Sequence, residues 1–154
     1  MQQSLPRHSH QTGTRLAGSW LFRLLYRYAN LSVRVIAPSA WGDRRKLTPA
    51  IQAQYLAPWT RPVDRERVLW ALARALLGST DFYRSMWDRR EALRRLPALV
   101  VWGMKDTAFR PHQLSRWREV LPQAHFVELP HAGHWPHEED PDLVAAELSS
   151  FLHS

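Results

Sequence analysis

The chain has 154 residues, 45% of them apolar, no cysteine and a formal net charge of +7. That length and apolar share suit one packed domain and exclude global disorder, while the lack of cysteine excludes a disulfide framework and thiolate chemistry. No apolar run approaches the roughly 18 residues that span a bilayer, and no leader-like apolar segment follows Met1, so a cytoplasmic protein with no membrane partner is expected.

Residues 1–18 are polar, carry Pro6, Gly13 and Gly18, and read as loop or disorder. Leu21, Leu24, Leu25, Tyr28 and Leu31 then recur at helical spacing, and Pro38 and Gly42 break the pattern. Thr48-Pro49 is a cap followed by proline in the first helical position, which opens a helix through Leu56. Asp64 is placed to cap a helix through Leu77, with Val68, Leu69, Leu72 and Leu76 as its buried face and Gly78 as its stop. A further helix is expected over 81–96, burying Phe82, Met86, Leu93 and Leu96, and Pro97 ends it. Its arginine run from Arg84 to Arg95 is interrupted by Asp88 and Glu91, and Glu91 stands four residues before Arg95, a favourable helical pair. Of the 21 basic residues only Lys46 and Lys105 are lysine, and no binding motif accompanies the run. It therefore reads as a solvated helix face, with no nucleic-acid partner expected.

The register changes at Pro97. Ala98–Trp102 reads as a buried strand, Pro111–Leu121 as a helix with Leu114, Trp117, Val120 and Leu121 inward, and Phe126–Leu129 as a second strand. A closing helix over Pro141–Leu152 carries Leu143, Val144, Leu148 and Phe151, and Glu138 and Glu139 fit its positive end. The crossover length predicts a right-handed parallel pair, and two parallel strands need further strands and covering helices to be stable. The expected architecture is thus α/β, a helical block attached to a C-terminal β-α-β-α unit of an incomplete parallel sheet.

Each strand leads into a loop with one reactive side chain: Trp102-Gly103-Met104-Lys105-Asp106 and His131-Ala132-Gly133-His134-Trp135-Pro136. Functional groups of parallel sheets gather beyond the carboxyl ends of the strands, so Asp106 and His134 are expected at one edge. An aspartate in such a loop is commonly a local turn or helix cap, and a lone histidine is commonly a surface residue. Together, in this order, they fit a carboxylate that orients an imidazole, which then acts as general base. Gly133 permits a tight turn before the histidine.

These two segments, with Pro136-His137-Glu138-Glu139, resemble the C-terminal part of an α/β-hydrolase, most nearly the capped branch that includes haloalkane dehalogenases. The resemblance implies that 19–96 is the cap (lid) segment and 97–154 the C-terminal part of the hydrolase core. It further implies that Asp106 is the acid of a triad, that His134 is its base, and that a small apolar organic molecule is the substrate. Trp135 is a candidate to contact that substrate, and no cofactor is expected.

The family also needs a nucleophile elbow, G-x-S-x-G or its aspartate equivalent, and none occurs in these residues. Gly18-Ser19, Gly78-Ser79 and Gly42-Asp43 lack the second glycine and the strand-to-helix setting. The chain alone is therefore expected to be inactive, supplying acid and base to a missing nucleophile and oxyanion hole. The alternative is a non-catalytic remnant or interaction module that self-associates or complements an N-terminal half. The spacing of His131, His134 and His137 raises a metal site, but Gly133 and Pro136 prevent the continuous helix that would align them, and none is expected. Of the eight tryptophans, Trp41, Trp59, Trp70 and Trp87 fall in the helical block, where packing is the expected role.

Overall fold

Two halves of different character follow one another in the computed structural model, which describes residues 19–153. The expected loop over 1–18 lies outside that range, as does Ser154. Helix α1, Trp20–Leu24, is capped by Ser19, whose Oγ accepts the Phe22 amide at 3.5 Å. It runs into two wide π-type turns, Leu25–Ala29 and Ser32–Ile36. Between them lies Asn30 at φ 49°, the one non-glycine residue of positive φ among the described residues, a conformation that asparagine tolerates. Helical geometry continues through α2, Ala37–Ser39. The stop expected at Pro38 comes later, because Pro38 falls in the first turn of α2, where a missing N–H costs little.

Helix α3, Pro49–Leu56, has the expected cap: Thr48 Oγ1 accepts the Ile51 amide at 3.3 Å. Helix α4, Pro62–Gly78, starts before the expected Asp64. Pro62 presets the helical φ, so Asp64 lies inside the first turn, near the positive end of the dipole, and does not cap it. The single helix expected over 81–96 divides into α5, Thr80–Asp88, and a tight 3-10 segment, Arg90–Arg95. The tighter winding eclipses residues three apart, so Glu91 pairs with Arg94 at 2.9 Å instead of Arg95.

The strands match the expected pair. Strand β1, Leu99–Gly103, lies parallel to β2, His125–Leu129, in the register Leu99 to His125 through Gly103 to Leu129. Helix α6, Pro111–Val120, makes the crossover and buries Leu114 and Val120, with Leu121 just beyond it. A short helix α7, Pro136–Glu139, precedes the closing helix α8, Pro141–Leu152. Glu138 and Glu139 thus belong to α7 and do not open α8. Each strand has one edge without a strand partner among the described residues.

Several apolar faces expected to be buried are exposed. Val68, Leu72 and Leu76 of α4, Phe82 and Met86 of α5, Leu93, Leu96, and Leu143 and Leu148 of α8 all keep more than a third of their surface exposed. The face that α4 turns inward carries Glu66, buried and held by Arg23 and Arg27 at 2.5 Å each. These two guanidiniums, Arg27 first, hold the Glu66 carboxyl below the usual range. No described helix is long and apolar enough to cross a membrane.

Candidate active site at the carboxyl edge of the sheet

The loops after β1 and β2 are bonded to each other. Met104 donates its amide to the Leu129 carbonyl at 3.0 Å, and Lys105 donates to Ala132 at 2.9 Å. Glycine allows the approach: a β-carbon on Gly103 would fall on the Gly133 carbonyl oxygen. A β-carbon on Gly133 would in turn collide with Ala40 and Gly42. Three stretches of chain, 40–43, 103–106 and 132–134, therefore meet backbone to backbone.

Asp106 is buried there and uses both carboxylate oxygens. Its Oδ1 accepts the amides of Ala108 at 2.7 Å and Phe109 at 2.9 Å, the local turn that such an aspartate commonly makes. Its Oδ2 lies 2.8 Å from His134 Nδ1. A carboxylate only accepts, so the network assigns the proton to Nδ1 and leaves Nε2 as the nitrogen with a free lone pair. Nε2 has no hydrogen-bond partner among the described residues, and the side chain is 29% exposed.

The imidazole plane is set from several sides. Phe109 stacks on it at 5.3 Å and 20°, and Trp135 meets it edge-on at 5.0 Å. Trp102 holds Phe109 by donating its indole N–H to the Phe109 carbonyl at 3.1 Å. The His134 amide donates to the Ala40 carbonyl at 2.9 Å. Trp135 packs against the helical half, where its ring lies 5.8 Å from Tyr55 and its N–H reaches the Ala37 carbonyl at 3.4 Å. Burial, and then the hydrogen bond to Glu138, push the Tyr55 phenol up.

Glu139 is a residue that the sequence reading missed. Only 2% exposed, its carboxylate accepts the amides of Gly133 at 2.7 Å, Asp43 at 2.9 Å and Gly42 at 3.1 Å. Lys46 donates to its backbone carbonyl. One carboxylate thus ties the 40–43 loop to the residue before His134. An acid at the end of a four-residue helix has no periodic signature, so only the fold reveals this role.

The side chains beside the isolated glycines are otherwise engaged. Ser19 caps α1, Ser79 donates to the Ala75 carbonyl at 2.5 Å, and Asp43 pairs with Arg45 at 2.8 Å, which holds its carboxyl far below the usual range. His131 and His137 are exposed, and the described residues contain no cluster of three or more His, Cys, Asp or Glu placed to hold a metal ion.

Comparison with known proteins agrees with this architecture. A family model described as the alpha/beta hydrolase fold matches residues 17–141. Haloalkane dehalogenase 2 of Mycobacterium bovis is 31% identical over 120 residues, covering 77% of this chain and 41% of the relative. The cis-3-alkyl-4-alkyloxetan-2-one decarboxylase of Xanthomonas campestris is 25% identical over 140 residues, covering 88% of this chain and 44% of the relative. Among solved structures, a loop variant of the Bradyrhizobium elkanii haloalkane dehalogenase DbeA superposes with a TM-score of 0.76 at 18% identity, covering 99% of this chain and 52% of that one. The chain thus spans less than half the length of these curated relatives. Its backbone follows the corresponding part of their fold, a partial sheet flanked by helices, and the chain belongs to the α/β-hydrolase-fold family.

Proposed function

We propose that Asp106 and His134 are the acid and general base of a haloalkane dehalogenase-like hydrolase whose nucleophile lies outside these 154 residues. The observation that carries this reading is the 2.8 Å bond between His134 Nδ1 and Asp106 Oδ2, which leaves Nε2 unengaged. In that role Nε2 takes a proton from the attacking group, and the Asp106 carboxylate stabilises the imidazolium that forms. With a serine nucleophile, the proton comes from the hydroxyl and the reaction is acyl transfer. With an aspartate nucleophile, it comes from the water that hydrolyses an alkyl-enzyme ester.

In the same reading, residues 19–96 are a cap over a small organic substrate, Trp135 borders the base, and the enzyme works in the cytoplasm. The chain by itself is inactive because a base with nothing to deprotonate does not turn over. Turnover tests the assignment in the complete enzyme, with a G-x-S-x-G or G-x-D-x-G elbow supplied ahead of this chain, on a bromoalkane, an epoxide and an aryl ester. His134→Ala is expected to lower the rate on whichever substrate reacts by about 10³-fold or more while binding persists. Retention of full activity by that variant would overturn it.

The edges of β1 and β2 that have no strand partner among the described residues, with the exposed apolar faces, favour a second reading, in which this chain associates with itself or with a complementary half. Size exclusion separates the two, since a cooperatively melting monomer counts against association.

A further inference from the structure

Between α5, the 3-10 segment and α6 lies a cavity of about 590 Å³ that the hydrogen-bond geometry of Asp106 and His134 leaves unexplained. Its apolar wall includes Met86, Trp87, Leu93, Trp102 and Trp117. Phe109 joins it to the site described above, because the same ring lines the cavity and stacks on His134. Its charged lining residues are Arg84, Arg90 and Arg116, with no carboxylate among them.

The three arginines are not equivalent. Arg84 is paired with Asp81 at 3.1 Å. Arg90 and Arg116 both sit over the indole of Trp87, at 4.7 and 4.6 Å from its centre, and neither has an acidic partner among the described residues. Arg90 spends one donor on the Trp87 carbonyl at 2.8 Å, while its Nε is buried without a partner among the described residues. Glu91, the acid within the 3-10 segment, is taken by Arg94. Two cations on one aromatic ring repel each other, and an indole compensates only part of what a carboxylate would.

We infer that this cavity binds an amphipathic monocarboxylate, its apolar body against the tryptophans and its carboxylate between Arg90 and Arg116. A planar guanidinium presents paired N–H donors that match a carboxylate, and the partly enclosed apolar setting strengthens the pair relative to open water. A neutral molecule of the same shape gains the apolar contacts and leaves both guanidiniums uncompensated. The binding claim stands on the cavity alone; that such an acid is the substrate, or the product leaving the site, rests on the hydrolase reading.

Tryptophan fluorescence of the whole chain, titrated with octanoate and with 1-octanol at low salt, is the test. Octanoate is expected to saturate with a Kd at least about tenfold below that of octanol, a ratio that falls toward unity in 1 M NaCl. Arg90→Gln with Arg116→Gln removes the preference, and Arg116→Lys alone retains part of it. Equal affinities, no saturable octanoate binding, or a preference that survives the double substitution overturns the proposal. The catalytic reading fails separately: His134→Ala with undiminished turnover overturns that reading whatever octanoate does. Octanoate binding unchanged by His134→Ala supports the cavity by itself.

Discussion

The helical half and the β-α-β-α half hold together by different means. From Pro97 on, the chain closes on itself: β1 pairs with β2 along its length, and the loops beyond them bond to each other. Leu114, Val120, Leu121, Leu129 and Ala132 form a local core there. Before Pro97, most of the apolar stripes are exposed, and the buried face of α4 carries the Glu66 carboxylate, held by Arg23 and Arg27. The helical half is anchored where residues 40–43 meet the His134 loop. Hydrophobic periodicity thus states which face of a helix is apolar; it does not state whether the matching surface lies within the same 154 residues.

The largest effect is expected where the two loops and the helical half touch backbone to backbone. Gly103→Ala places a methyl group on the Gly133 carbonyl and is expected to destabilise the fold by about 3 kcal/mol or more. Urea unfolding of the whole chain measures this. A midpoint within error of the wild type would mean that the loops can part freely, and the contrast between the halves would lose its structural basis.

Next comes the carboxylate that ties the halves together. Glu139→Ala leaves the amides of Gly42, Asp43 and Gly133 without their acceptor, at an expected cost of roughly 2 kcal/mol. Hydrogen exchange reads the effect directly. Those three amides are expected to lose protection while β1 and β2 keep theirs, and uniform loss along the chain would show that Glu139 supports the whole fold and not one junction.

The smallest effect belongs to the ion pairs inside the helical half. Arg27 and Arg23 lower the Glu66 carboxyl in the folded chain, so its stabilising contribution is present above the unfolded value, about 4.3. It is lost as pH falls through the lower folded value. The melting temperature of the wild type should therefore drop more steeply on acidification below about pH 4.3 than that of Glu66→Gln. Parallel acid limbs would remove Glu66 from the account. Both arginines are partly exposed, which keeps the difference modest.

Much of the second half was legible because its signals are local. Short apolar runs between Pro97 and the Asp106 and His131–His134 loops mark strands by length and punctuation, and parallel pairing then sends both loops to one edge. The cap at Thr48-Pro49 is local in the same way, since its acceptor and donor lie three residues apart. The start of α4 at Pro62 and the division of 81–96 at Arg89 show where competing local signals were misjudged.

By itself, the sequence determined the order of elements, the parallel crossover, the lack of an elbow motif and the arrival of an aspartate and a histidine at one sheet edge. All of these follow from neighbours along the chain. Only the tertiary structure decided that Glu139 accepts three amides from two loops, that Phe109 joins His134 to a cavity, and that Arg90 and Arg116 share one indole. Those contacts link residues up to 97 positions apart. No spacing rule encodes them, because they depend on how whole elements pack.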